Sequence, residues 1–278
     1  MDHFSTATKI LFPYAYNILG NVADSQDIVQ QALINYHEKE AATIAEPKAY
    51  LIKSVVNLAI NQKKKKERGR DLNINLPEPI VNNLAEHTIE LDEILNYSLM
   101  VLLNTVNAKE RAIFLLKEAF DYEHREIAEI LSISVENSRQ LLARAKKKLK
   151  SQQPTIVSPN LNHTAYLERY MNAIRERDVK SLEKLLADDI QVLADGGTEV
   201  NVVAPITIGI ENTLKLVSYL YQHYQKDFSI KIEEANHQAA LLFYRGASLI
   251  NCQVFEINAE GKITRIFSVV DPQKLKSY

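Results

Sequence analysis

The sequence predicts a multidomain chain in which two all-α units precede an α+β domain built on a curved antiparallel sheet. Three observations lead there. Residues 3–70 and 88–150 carry apolar side chains at helical spacing, and no glycine falls between Gly20 and Gly69. Two polar stretches break that pattern, one around Pro77 and Pro79 and one with Pro154 and Pro159, where proline removes backbone donors and opposes helix. From residue 190 onward the pattern changes to short alternating or apolar runs punctuated by glycine turns. The 278 residues exceed the roughly 100–200 of one domain, which suits units at 1–70, 88–150 and 163–278 with linkers at 71–87 and 151–162.

In the first unit, Asp24 is placed to cap a helix that buries Val29, Ala32, Leu33 and Tyr36 and displays Asp27, Gln30 and Gln31. Acidic and amide groups suit a protein partner rather than DNA. Pro47 suits the first turn of the next helix, which sets Leu51, Val55 and Leu58 on one side and Lys53, Asn57, Asn61 and Lys64 on the other. That polar stripe leads into a basic block of Lys63, Lys64, Lys65, Lys66, Arg68 and Arg70, a pattern able to hold an unpaired strand and its phosphates. An ordinary solvated helix face would look the same.

The second unit contains two helices separated by Ser132, Ile133 and Ser134, the length of a helix-turn-helix turn. Ile127, Ala128 and Leu131 face inward from the first. In the second, Ser138, Leu142, Ala145 and Leu149 fall on one stripe, with Ser138 expected to bond a backbone carbonyl one turn back. The opposite face carries Glu136, Gln140 and Lys147, flanked by Asn137, Arg139 and Arg144. Arg, Asn and Gln can pair bidentately with base edges, and the lysines that follow suit phosphates. A plain α-hairpin with a solvated basic face is the competing reading of the same residues.

The third unit begins with two helical segments, one striped by Leu167, Tyr170, Met171 and Ile174, the other by Leu182, Leu185 and Leu186. Strands are expected at 190–194, 199–204, 228–234, 239–244, 248–258 and 262–270, with a helix over 211–224. Such a sheet has a concave face that can enclose a pocket.

Composition excludes several classes. The chain is 46% apolar and 24% charged, without the roughly 18 apolar residues in a row of a membrane span. The N-terminus lacks a basic stretch followed by an apolar core, so a soluble, cytoplasmic, non-membrane protein is expected. The single cysteine, Cys252, excludes an internal disulfide and a multi-cysteine zinc site. No cofactor, metal or catalytic residue is expected: His223 and His237 are isolated, with no carboxylate or second His at ligand or dyad spacing, and Asp195 reads as a turn residue before Gly196 and Gly197. A net charge of −2 does not itself point to nucleic acid, but the two basic blocks do.

Two ordered motif sets carry a resemblance. Residues 15–32, Ala-Tyr-Asn-Ile-Leu-Gly-Asn-Val-Ala-Asp-Ser-Gln-Asp-Ile-Val-Gln-Gln-Ala, resemble region 2 of the extracytoplasmic-function sigma factors. Glu46-Pro47-Lys48-Ala49-Tyr50-Leu51, continued by Asn57-Leu58-Ala59 and the basic block, resembles their promoter-melting segment. Residues 108–116, 126–131 and 139–145 are similar to their region 4. The resemblance implies that Asp24, Asp27, Gln30 and Gln31 meet core RNA polymerase, and that Lys53, Asn57, Asn61, Lys63 and Lys64 meet the −10 element of promoter DNA. It places Arg125, Glu136, Asn137, Arg139, Gln140, Arg144 and Lys147 at the −35 element. Asn61 stands where the family often has Asp, and Tyr36 where it often has Trp.

The remaining half resembles the SnoaL-like, cone-shaped extension of one sigma-factor subgroup. Leu76-Pro77-Glu78-Pro79, Asp195-Gly196-Gly197 and Asp271-Pro272-Gln273-Lys274-Leu275 carry that likeness, whereas Thr198 and Glu199 replace the Gly-Lys that often completes the turn. The subgroup often accepts a small residue at Ser138. The resemblance makes Pro77, Pro79, Asp195, Gly196, Gly197, Asp271 and Pro272 the regulatory contacts between this domain and the sigma domains, with a small-molecule ligand in the cone as a further use. Two other classes compete: a ligand-responsive helix-turn-helix regulator that binds its promoter without polymerase, and a SnoaL-type enzyme with DNA-binding appendages, which turnover of a small hydrophobic metabolite would reveal. Cutting near Ser158, or replacing Asp195 and Gly196, should alter transcription if the extension is regulatory.

Overall fold

The computed structural model describes residues 2–39, 44–68, 74–81, 91–150 and 163–276. The expected second linker, 151–162, together with Arg70 and the stretch 82–87 of the first linker, lies outside the described residues. The chain forms two compact units that are interleaved in sequence: Met1–Asp71 with Ala85–Gln153, and Leu72–Leu84 with Pro154–Tyr278.

The first unit is helical: α1 (Asp2–Leu19), α2 (Val22–Glu38), α3 (Pro47–Glu67), α4 (Tyr97–Leu102), α5 (Ala108–Phe114), α6 (His124–Leu131) and α7 (Val135–Lys150). Proline at the first turn of α3 removes a donor that has no intrahelical partner anyway. The cap of α2 is Asn21, not Asp24. The Asn21 side chain accepts from the Asp24 amide at 2.9 Å, which leaves Asp24 one turn inside the helix. A single apolar core runs from Leu11 and Ile18 through Val29 and Val55 to Ile113, Ile127 and Leu142, so both helical stretches contribute to it.

Three side chains tie those stretches together. The buried Asn17 amide donates to the Glu93 carbonyl at 2.8 Å, while its oxygen accepts from the Leu95 amide at 3.1 Å. Tyr14 stacks on Phe120 with ring centroids 4.1 Å apart. The guanidinium of Arg111 is wholly buried, and its Nε donates to the Asn17 carbonyl at 2.7 Å.

The second unit contains α8 (His163–Glu176), α9 (Val179–Leu185), β1 (Leu186–Asp195), β2 (Ile206–Ile208), α10 (Ile210–Leu220), β3 (Ser229–Ala235), β4 (Gln238–Arg245), β5 (Ser248–Ile257), β6 (Ile263–Val269) and the short α11 (Pro272–Leu275). The sheet order is β2-β1-β6-β5-β4-β3. Neighbours are antiparallel except β1 and β6, which run parallel, so the sheet is mixed where antiparallel was expected throughout. Register shifts in the β1/β6, β4/β5 and β5/β6 ladders add twist and curve it. Leu167, Tyr170, Ile174 and Leu182 pack against Leu241, Phe243, Phe255 and Ile266 to form the core.

The strand expected at 199–204 is instead irregular. Asp195 opens a tight turn in which the Val200 amide donates to the Gly196 carbonyl at 3.1 Å, and pairing with β1 begins where the Pro205 carbonyl accepts from the Ala194 amide at 2.9 Å, continuing through Ile206–Ile208.

The segment read as a polar linker is buried. Leu76, Pro77, Glu78, Pro79, Ile80 and Val81 are all shielded within the second unit. Pro77 and Pro79 make that affordable in hydrogen bonds, because each brings no N–H that burial would leave to be satisfied. Val81 pairs in antiparallel fashion with Ala235 at the end of the edge strand β3. On the two-residue turn that follows, Asn236 has φ 46° and His237 φ 60°, the left-handed pair that a tight hairpin needs. The Asn236 amide donates to the Ile80 carbonyl at 3.0 Å, and its side-chain oxygen accepts from the Ile80 amide at 2.8 Å. Asn236→Ala should therefore weaken this docking by roughly 1–3 kcal/mol, since it orphans a buried donor and places alanine at positive φ. Faster amide exchange at Ile80, with α8 unaffected, is the expected signature.

Candidate nucleic-acid interface

Helices α6 and α7 form the helix-turn-helix that the spacing predicts. Ser132 closes α6 in the left-handed conformation, φ 51°, and the Ile133 amide returns to the Ala128 carbonyl at 3.0 Å. The Ser134 hydroxyl accepts from the Asn137 amide at 3.1 Å and starts α7. Ile127, Ala128, Leu131, Ser138, Leu142, Ala145 and Leu149 are buried as the stripes require. Ser138 differs in its partner: its hydroxyl lies 2.9 Å from His124 Nδ1 rather than on a carbonyl one turn back. The imidazole arrives from the start of α6, so this bond fastens the two helices to each other.

The opposite face of α7 is exposed, with Glu136, Asn137, Arg139, Gln140, Arg144 and Lys147 in solvent, and Arg125 on α6 is exposed too. Glu136 organises part of it, 3.8 Å from Arg139 Nη1 and accepting from Gln140 Nε2 at 3.4 Å. The basic block at its end is divided. Lys146 pairs with Glu118 at 2.8 Å and Lys148 with the buried Glu110 at 2.7 Å, so these two serve the fold. Arg144, Lys147 and Lys150 project outward.

On α3, Lys53, Asn61 and Lys64 are exposed, but two expected DNA contacts lie elsewhere. Lys63 is buried, because it falls on the same stripe as Val56 and Ala59 and turns toward the core. Asn57 donates through Nδ2 to the Lys53 carbonyl and, across to α6, to the Ile130 carbonyl, both at 2.8 Å. On α2, Asp27, Gln30 and Gln31 face solvent. Asp24 is half-hidden, salt-bridged to Lys66 and accepting from Gln62 Nε2 at 3.2 Å. Charge patterning shows a basic block and an acidic helix start, but not that they neutralise each other.

The third set of residues, in the second unit, converges on one carboxylate. Asp195 is buried at the end of β1; its Oδ2 accepts from the Leu76 amide at 2.8 Å and from Lys274 Nζ at 2.5 Å, and its Oδ1 from the Gly197 amide at 2.9 Å. Lys274 also donates to the Leu76 carbonyl at 2.7 Å and to Asn75 Oδ1 at 3.0 Å. Gly197 sits at φ 62°, and a Cβ there would lie 2.5 Å from the Asp271 carboxyl group. A Cβ on Gly196 would meet the Val200 carbonyl oxygen at 1.9 Å. Pro272 begins α11 behind the Asp271 cap, which presents Lys274 to Asp195. Asp195, Gly196, Gly197 and Asp271 are thus brought together with the buried Pro77 and Pro79 segment. Lys274 belongs to the 271–275 motif but was not singled out as a contact, and Asn75 and Asn236 were missed.

His223 is bonded at 2.9 Å to the Tyr219 carbonyl, and His237 is not isolated, since Glu234 lies 3.8 Å away on the same hairpin. Among the described residues no helix is long and apolar enough to cross a membrane.

Comparison with known proteins bears on these sites. Residues 97–149 match the family described as sigma-70, region 4. The chain is 27% identical over 232 residues to the ECF RNA polymerase sigma factor SigJ of Mycobacterium tuberculosis, covering 81% of this chain and 74% of that protein. It is 21% identical to the sigma factor SigI of the same organism, covering 95% and 91% of the two chains. The crystal structure of M. tuberculosis SigJ superposes with a TM-score of 0.77 at 22% identity, over 99% of this chain and 98% of that one. The likeness of fold therefore extends over the helical unit and the curved-sheet domain alike.

Proposed function

We propose, for a chain that belongs to the extracytoplasmic-function sigma factors, that it binds core RNA polymerase in the cytoplasm, selects promoters through α7 and α3, and is modulated by its SnoaL-like domain without catalysis. The observation that carries this reading is the exposed Asn137, Arg139, Gln140, Arg144 and Lys147 face on a segment matching sigma region 4. Its side chains have the donor geometry for base edges and phosphates. Arg125 and Glu136 flank it and set its register on the −35 element.

Asp27, Gln30 and Gln31 present a small polar surface to polymerase, with Asp24 joining them once Lys66 is drawn to phosphate. Lys53, Asn61 and Lys64 attract the −10 strand. Asn57 reads it only after leaving the Ile130 carbonyl, so promoter engagement requires α3 and α6 to part. The segment between the two sigma regions is where the fused domain acts. With Leu76–Val81 held by Asp195, Lys274 and Asn236, less free chain remains for that parting, each extended residue contributing at most about 3.5 Å of reach. Pro77, Pro79, Gly196, Gly197, Asp271 and Pro272 shape this hold.

Run-off transcription with core polymerase on genomic DNA tests the proposal. Wild-type protein should give discrete transcripts. Arg139→Ala with Gln140→Ala should lower them by about tenfold or more, the effect of losing one or two base contacts of ~1–3 kcal/mol each, with core binding unchanged. Tight promoter binding in the absence of polymerase would instead favour a stand-alone regulator.

A further inference from the structure

The concave face of the sheet, α10 and the loop after β1 enclose a cavity of about 400 Å³, within the range that holds drug-sized molecules. Its wall is largely apolar, with Val192, Leu216, Val217, Phe228, Leu249 and Ile266. At its mouth Val203 and Tyr224 are more than half exposed, an apolar entrance rather than a polar rim. No Asp, Glu or His lines it among the described residues. The lining cation, Arg245, is exposed and lies over the Phe228 ring, 4.9 Å from its centroid.

Three polar groups interrupt this apolar wall. Gln225 is 9% exposed, Gln253 8% and Tyr170 2%, and all three line the cavity. Among the described residues none of the three side chains has a hydrogen-bond partner. Elsewhere in the same wall a polar pair is satisfied: the Ser268 hydroxyl donates to Asn251 Oδ1 at 3.1 Å. The polar atoms of Gln225, Gln253 and Tyr170 are not sealed off, since among the described residues Thr213 Oγ1 is the enclosed side-chain atom left without a partner; they stay accessible from the cavity, where a bound molecule would meet donors and acceptors that no protein group occupies. A cation would lose its hydration here without gaining a counter-ion, and an anion would find only Arg245, which is exposed and already lies over the Phe228 ring; a neutral molecule carries no such cost.

We propose that this cavity binds an uncharged, mostly apolar small molecule with one hydrogen-bonding end, recognised by Gln225, Gln253 and Tyr170, and that occupancy is transmitted to the 76–81 segment. The second half follows from shared parts. The loop that contributes Val200, Val202, Val203 and Ala204 to the wall springs from Asp195, and α11 contributes Pro272 and Leu275 on either side of Lys274. The same carboxylate and ammonium hold the Leu76 amide and carbonyl. Filling the cavity braces both elements and tightens that hold.

The test uses the full chain without DNA or polymerase, so its failure leaves the sigma reading untouched. N-phenylnaphthylamine, a neutral apolar fluorophore, should bind saturably at one site per chain, and Ala194→Phe, which fills the cavity, should abolish this. Methyl octyl ketone should displace the probe about tenfold better than decane or decanoate, the margin of one good hydrogen bond. Gln253→Leu combined with Gln225→Leu should erase the margin between ketone and decane while leaving probe binding and thermal stability intact or raised. Saturating ketone should slow amide exchange at Leu76 and Ile80. The binding half is overturned if the probe does not saturate, if Ala194→Phe binds it as well as wild type, if decanoate displaces it best, or if the double variant keeps the margin. Unchanged exchange at Leu76 and Ile80 overturns the transmission half.

Discussion

Asp195→Ala is expected to unfold or loosen the C-terminal unit more than any other single substitution outside its apolar core. The carboxylate satisfies three donors at once, the Leu76 and Gly197 amides and the Lys274 ammonium, in a buried setting. Removing one partner of a buried ion pair costs roughly 3–5 kcal/mol, because the other charge stays desolvated and unpaired. Asp271 does not replace it: its Oδ2 is 3.9 Å from Lys274 Nζ, and its Oδ1 already caps α11 through the Gln273 amide at 2.9 Å. Urea denaturation should show the second unit melting earlier, and proteolysis should reach the 76–81 segment first. Asp195→Asn should fall between wild type and alanine, since it keeps an acceptor but loses the charge. Gly197→Ala should reproduce much of the defect by another route, as the new methyl would collide with Asp271 at a positive φ.

Arg111→Met is expected to destabilise the helical unit by a similar ~3–5 kcal/mol. Methionine preserves much of the volume but none of the hydrogen bonds that Arg111 sends to the Asn17 carbonyl, to Asn104 Oδ1 at 2.9 Å and to the Met100 carbonyl at 3.3 Å. Asn17 would keep its bonds to Glu93 and Leu95 but lose the group that holds its own carbonyl, so α1 and α5 would come apart first. Burial pushes the Arg111 guanidinium down to about 10. The sign matters for how the loss is measured. Below that value the group is protonated in folded and unfolded chains alike, so it adds no pH dependence there; only above it would the folded chain shed the proton first and gain stability as pH rises. Urea midpoints of wild type and Arg111→Met should therefore run parallel between roughly pH 6 and 9.

Spacing alone located the inward stripe of α7, because a helix repeats every 3.6 residues and Ser138, Leu142, Ala145 and Leu149 obey that period. It could not identify the partner of Ser138, since His124 is brought near by the turn rather than by the helix. The division of the basic blocks was hidden for the same reason: Lys66, Lys146 and Lys148 meet Asp24, Glu118 and Glu110 only through tertiary packing. The parallel pairing of β1 with β6 joins strands distant in sequence, which no local alternation encodes. The reading of Pro77 and Pro79 as marks of a linker is the most instructive. Proline argues against helix and central strand, but a chain with fewer donors is also a chain that can be buried, and the sequence by itself does not distinguish the two. Asp195-Gly196-Gly197 was legible as a turn; that its carboxylate would face a segment so far upstream was not.

That buried segment alters what counts as one domain. The C-terminal unit is assembled from Leu72–Leu84 and Pro154–Tyr278, so the stretch that carries the helix-turn-helix is topologically an insertion into it. A fragment beginning after the insertion would encode an incomplete fold, its edge strand β3 stripped of the Val81 bridge and its Asp195 of the Leu76 amide. Backbone cleavage near Ser158 would leave the two pieces associated through residues 76–81. Grafting that hexapeptide onto the isolated domain by a short flexible tether, as in a circular permutant, is the route to a self-sufficient module.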